Sequence, residues 1–261
     1  MKTIGTALCL FLVISVSGGP KSTLPLSKTA VLAQTGTARV VALTASLHRA
    51  TALLHAASYE EAGERYRSGY QTSKEWGQNE LAAQFRCGLG NCQVLRFQYR
   101  DALESYLTAR RMFAASGSDS QAARVDLNLC SLYSQLGEFG AAADAANRAL
   151  EHLEPGKVGP RAKLLILLAN VKWQQGKVEE ARQLFNEGIQ EADRFGDPDL
   201  LSNAWDKLGA RLLLQKQLPQ AEQALLEAYR IRKLNRLPAL GSTYRNLGML
   251  RLEQAVEASE R

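Results

Sequence analysis

Five stretches of this chain repeat one pattern at nearly constant spacing. "SYEEAGERYRSGY" is followed by "FQYRDALESYLTAR", "EFGAAADAANRAL", "KVEEARQLFNEGI" and "QLPQAEQALLEAY". Each carries an alanine, at Ala62, Ala102, Ala142, Ala181 and Ala221, with steps of 40, 40, 39 and 40 residues. A fixed period of that size excludes most globular folds and points to a solenoid. A bulky residue stands three positions before each alanine: Tyr59, Tyr99, Phe139, Val178 and Leu218. Four positions after it come Tyr66, Tyr106, Ala146, Phe185 and Leu225, and seven after it Gly69, Ala109, Ala149, Gly188 and Ala228. Offsets of three, four and seven mark one helix face. Bulky positions there fill a core, and small ones let another helix approach.

A second helix precedes each of these. Twelve residues before the anchor stand Ala50, Gly90, Cys130, Ala169 and Gly209, the last four each preceded by leucine. The pair returns once more as Leu247-Gly248, opening a sixth unit. Gly137 and Gly176 fall where a left-handed residue ends a helix. Asp197 is placed to cap a helix beginning at Pro198, and Pro219 suits the first turn of the next. No alternating β-branched run follows residue 45.

These units resemble the tetratricopeptide repeat family. The residues that carry the likeness are Leu89, Gly90, Tyr99, Ala102, Tyr106 and Ala109 in the second unit. In the fifth they are Trp205, Leu208, Gly209, Leu218, Ala221, Leu225 and Ala228. The resemblance implies an all-α fold: a right-handed α-α superhelix of about five and a half helix pairs, with a period near 40 against the family's usual ~34. Array residues run from 41 to 261, after a signal peptide at 1–19 and a flexible linker at 20–40. Arg49-Ala50 replaces Leu-Gly in the first unit, so that unit is degraded or capping.

The resemblance also implies a site. In such arrays the first helix of each pair lines a concave groove that accepts an extended peptide or a helix. Carried onto this chain, the groove positions give Asn91, Val94, Arg124, Asn128, Lys163, Asn170, Trp173 and Gln174 as the peptide-binding candidates. The amides suit a peptide backbone, and Arg124 and Lys163 suit an acidic or carboxylate-bearing ligand. Trp173 is either an anchor for the partner or packing between helices. Asn91, Asn128 and Lys163 fall where chaperone-binding members place parts of a carboxylate clamp. Cys87 and Leu167 stand where that clamp needs cations, so it is incomplete.

The remaining features bound the function. Lys2, an apolar run from Ile4 to Val16 and small residues after it have the layout of a secretory signal. Cleavage is expected near residue 17 to 19, or as late as 33, with an uncleaved anchor as the alternative. Export to the periplasm or exterior follows. The chain has 32 Lys plus Arg against 26 Asp plus Glu. Removing 33 residues that hold three lysines and no acid leaves 29 against 26, or +3, too small a charge to argue for nucleic acid. The acid-free basic stretch of Arg230, Arg232, Lys233, Arg236, Arg245 and Arg251 reads as a solvated or docking face. Cys87 and Cys92 lie five apart on one helix and diverge, and Cys130 fills a small-residue position. No HExxH, GxSxG or phosphate-loop spacing occurs. No catalysis, metal or cofactor is expected, and the partner is a protein or peptide.

A weaker likeness joins "FQYRDALESYLTARR", "AWDKLG" and "YRNLGMLRL" to the repeat arrays of bacterial CHAT-domain proteins. It implies, as the alternative, the regulatory segment of a caspase-like protease whose catalytic domain is not in this sequence. Near the end, Leu247, Met249, Leu250 and Leu252 belong to a helix without a second member, where docking or dimerisation is expected.

Overall fold

The computed structural model describes residues 28–153, 156 and 158–259, with side chains from residue 36 onward. The expected signal segment at 1–19 lies outside the described residues. Residues 28–40, within the stretch expected as a flexible linker, are helical. They read "KTAVLAQTGTARV", with no proline and enough Ala, Leu, Gln and Arg to support helix.

The described residues form eleven helices and no strand. They are α1 (Lys28–His55), α2 (Tyr59–Glu75), α3 (Asn79–Leu95), α4 (Tyr99–Ala115), α5 (Asp119–Leu136), α6 (Phe139–Glu151), α7 (Val158–Gln174), α8 (Val178–Phe195), α9 (Pro198–Leu214), α10 (Leu218–Leu234) and α11 (Leu240–Ser259). The chain divides into two compact units, 1–39 and 40–261, and the second holds the array. From α2 to α11 each helix packs on the next, and α5, α7, α9 and α11 also touch in succession. The result is an all-α solenoid of stacked helix pairs, with the odd-numbered helices as one layer.

The repeated alanines explain the stacking. All five anchors are completely buried, and so are Ala109, Ala149 and Ala228 seven positions on. Each even-numbered helix is sandwiched between two odd ones, so a small residue is needed where backbones come closest. At Gly90 a Cβ would lie 2.6 Å from the Tyr106 ring, which is why glycine faces tyrosine there. The turns follow the sequence signals. Gly137 ends α5 at φ 80°, and the Asp197 carboxylate accepts from the Asp199 and Leu200 amides at 3.0 and 3.2 Å.

The core of the array is a ribbon in three apolar clusters. Helix α7 feeds two of them, giving Leu164, Leu168 and Val171 to one and Ile166, Ala169 and Trp173 to the other. Two buried ionic knots tie the layers. Asp126 on α5 receives Arg110 from α4 at 2.8 Å and Arg148 from α6 at 2.9 Å. Asp206 on α9 faces Arg232 of α10 at 3.2 Å, and Asn246 of α11 donates to it at 3.2 Å. Arg232 also donates to Ser242 and Thr243. Its side chain is 1% exposed, so it leaves the basic face on which the sequence had placed it.

Candidate functional groove

The first residues of the site come from one register of the odd-numbered helices. Eleven positions before successive anchors stand Thr51, Asn91, Ser131, Asn170 and Ala210. In the first two units the residue four after the anchor is tyrosine, and its hydroxyl reaches back across the pair. Tyr66 bonds Thr51 at 3.0 Å, and Tyr106 donates to the Asn91 side-chain oxygen at 2.8 Å. Asn128 on α5 adds its own amide to the same oxygen at 3.3 Å and lies 3.7 Å from the Cys87 sulfur. The Asn91 oxygen is thereby committed to two donors. Its NH2 group and the Asn128 oxygen have no partner among the described residues, leaving one donor and one acceptor side by side. A peptide unit offers the complementary pair.

Around them opens a cavity of about 780 Å³, lined by α1, α3, α5, α7 and α9. Its polar wall includes Gln84, Asn91, Arg124, Asn128 and Lys163, and its apolar wall Leu47, Leu54, Leu127 and Leu200. Arg124 and Lys163 occupy equivalent positions on α5 and α7, are exposed, and enter no ion pair among the described residues. Asp199 stands on the α9 side of the same cavity. A second, smaller cavity of about 200 Å³ continues along α3 and α5, lined by Val94, Ser131 and Gln135. Cys87 lies in the wall of the larger one, its thiol pushed up to about 11 by burial, with the Asn128 contact opposing. It stays protonated at neutral pH and offers no thiolate to the cavity, whose wall also includes His55.

Four of the eight residues expected in the groove, Asn91, Arg124, Asn128 and Lys163, thus come together in one cavity, and Val94 is next door. The other three do not join them. Asn170 accepts from Arg211 Nε at 2.9 Å. Gln174, oriented with its oxygen toward the same guanidinium, accepts from both terminal nitrogens at 3.0 and 3.1 Å. Trp173 turns toward α8, edge-on to Phe185 with ring centroids 6.2 Å apart and with the Arg182 guanidinium over it at 5.7 Å. At 8% exposure it packs in the second apolar cluster, as the packing alternative has it. Its neighbours fit the reason: Phe185 offers a ring edge where Tyr106 in the earlier unit offers a hydroxyl.

Sequence reasoning missed the α1 wall, including Thr51, because the first unit lacks Leu-Gly. The ladder of positions eleven before the anchors was the signal that reaches Thr51. The role of Tyr106 was also missed, since it had been counted only as packing.

Residues 160–234 match the tetratricopeptide repeat family. No curated protein matches the sequence. Solved structures share the fold at low identity. BtubC (BKLC) from P. vanneervenii is 18% identical with a TM-score of 0.62, over 77% of this chain and 92% of that one. Pseudomonas aeruginosa pilF is 18% identical with a TM-score of 0.59, over 86% of this chain and all of that one, 100%. Aspartyl phosphate phosphatase F from Bacillus subtilis is 14% identical with a TM-score of 0.62, over 83% of this chain and 60% of that one.

Proposed function

We propose that this tetratricopeptide-repeat array is a non-catalytic interaction scaffold that holds an extended peptide, or one face of a helix, against α3, α5 and α7. The observation that carries this reading is the uncommitted donor of Asn91 beside the uncommitted acceptor of Asn128, within a cavity of about 780 Å³. Arg124 and Lys163 on its rim favour a ligand bearing a carboxylate or an acidic side chain. The N-terminal signal layout supports export, so the partner is sought outside the cytoplasm. Helix α11 supplies a second contact surface for docking or dimerisation.

The test starts with peptides selected from a random display library on the immobilised full chain. Selected peptides should be enriched in Asp, Glu or a free C-terminus. Their affinity should fall at least tenfold in the Arg124→Ala/Lys163→Ala double variant and weaken with added salt. Peptides that bind this variant as well as the parent would place recognition on another surface.

A further inference from the structure

Helix α9 carries two cations, Lys207 and Arg211, one and two turns past the Asn203 that lines the large cavity. Lys207 stands fourteen positions before its anchor Ala221, as Asn128 stands before Ala142, so it shares the register that lines the groove. Both side chains are half-buried. Four positions apart they lie on one helix face, where like charges repel. Neither has an acidic partner. Lys207 enters no hydrogen bond and no ion pair among the described residues, which leaves its three N–H groups unmet. Arg211 is held by neutral groups alone: its Nε donates to Asn170 at 2.9 Å and its two terminal nitrogens to the Gln174 oxygen at 3.0 and 3.1 Å. Three of its five N–H groups are used, and one on each terminal nitrogen is free. Asp206, next in the chain, is committed to Arg232 at 3.2 Å and accepts from Ser242 and Asn246, each at 3.2 Å. Burial first, then Arg211, holds Lys207 below the ordinary lysine value, and burial lowers Arg211 as well. Asp206 opposes the shift at Lys207, and Arg232 adds to it.

Charges withdrawn from water are ordinarily paired, because desolvation of a lone ion is costly. A water molecule or an amide accepts the free N–H groups but leaves both positive charges uncompensated. An oxyanion supplies acceptors and opposite charge together, in charge-assisted hydrogen bonds. We infer that Lys207 and Arg211 form a binding point for one oxyanion, a carboxylate or a phosphate group, on the α7–α9 stretch of the array. Asn170 and Gln174 are positioning residues there: they fix the guanidinium and leave two of its N–H groups free for the ligand. The half of the groove whose asparagine is taken up by Arg211 thus offers charge where α3 and α5 offer an amide pair. None of these four residues lines the large cavity, so the site goes beyond the peptide reading and does not depend on it.

The experiment titrates the full chain with acetate and with inorganic phosphate, each against chloride at equal ionic strength, and follows the Lys207 ε-methylene resonance and the melting temperature. A saturable shift of that resonance and a rise in melting are expected. Saturation by phosphate alone assigns a phosphate group, by acetate alone a carboxylate, and by both a site that reads charge without regard to the group. Arg211→Met should weaken binding by about tenfold or more. Lys207→Met should abolish the rise, yet melt no lower than the parent in chloride, since it removes an uncompensated charge. The Arg124→Ala/Lys163→Ala chain should respond like the parent, which separates this test from that of the large cavity. A Lys207 resonance that moves no more with either oxyanion than with chloride overturns the inference. So does a Lys207→Met chain that melts lower while keeping the oxyanion response, which would make Lys207 a structural residue. Loss of the response in the Arg124→Ala/Lys163→Ala chain overturns it too, by placing the anion in the large cavity.

Discussion

The α3–α5 and α7–α9 segments are built on the same registers, yet Asn91 of the first lines the large cavity while Asn170 of the second bonds Arg211. Asn91 and Asn170 are equivalent in the repeat. In the first segment Tyr106 donates a hydroxyl to the Asn91 oxygen and Asn128 donates its amide to the same atom, which leaves the Asn91 NH2 uncommitted among the described residues. In the second the corresponding residue is Phe185, which has no hydroxyl to give. Asn170 instead bonds Arg211, and Trp173, in the register of Val94, packs onto the Phe185 ring. One oxygen atom separates Tyr from Phe, and it accompanies an open half of the groove and a closed one. A ladder of identical positions is thus not a ladder of identical sites. What each rung presents depends on the helix behind it.

The largest effect expected is on the closed half. Trp173→Ala should cost about 3–5 kcal/mol in stability, as large aromatic truncations in a core do, while leaving peptide affinity unchanged. A variant that melts like the parent but binds poorly would reverse the assignment of Trp173 and erase the contrast. Next comes the packing of the open half. Ala102 is completely buried between α3 and its neighbours, and Ala102→Leu should overpack it by about 1–3 kcal/mol in chemical denaturation. An unchanged midpoint would mean the pair interface is looser than its burial indicates.

Alkaline pH should separate the halves. All three described cysteines lie on α3 and α5, and burial pushes Cys87 and Cys92 up to about 11 and Cys130 up to about 12. A thiol whose folded pKa is raised contributes stability that is complete below its unfolded value near 9 and is lost as pH rises toward 11 to 12. Lys207 on α9 has the opposite sign. Burial first, then Arg211, lowers its pKa, so its unfavourable contribution is relieved as pH rises toward the ordinary lysine value. Hydrogen exchange between pH 8 and 10 should therefore show α3–α5 losing protection relative to α9. Cys130→Ala should recover up to about 1.4 kcal/mol of the loss at pH 10, one unit above the ordinary thiol value. Equal loss in both segments would contradict these assignments.

The smallest effect isolates the hydroxyl. Tyr106→Phe should cost about 1 kcal/mol of stability and weaken a selected peptide several-fold, because Asn91 is then free to turn. Asn170→Ala should lower stability, since Arg211 loses an acceptor, without touching affinity. If both variants affect binding alike, the two halves are functionally one groove.

Much of this molecule was written in the sequence. The fixed step between Ala62, Ala102, Ala142, Ala181 and Ala221 determined the all-α solenoid, because a helix face with mostly bulky residues at offset four and small ones at the anchor and offset seven packs best against other helices. Cap signals at Gly137 and Asp197 set helix ends, since they act within a few residues of backbone. The resemblance to tetratricopeptide repeats, carried onto this chain, also named Asn91, Arg124, Asn128 and Lys163 together, and all four line one cavity. Tertiary structure decided the rest. Trp173 is as compatible with a groove as with a core until Phe185 and Arg182 are placed beside it. Arg232 reads as a surface base until Asp206, Ser242 and Thr243 converge on it from α9 and α11. In each case the side chain is long enough to reach two environments, and the choice lies with residues tens of positions away. Local pattern fixes which face a residue starts from, and only the packed neighbours fix where its polar or aromatic end comes to rest.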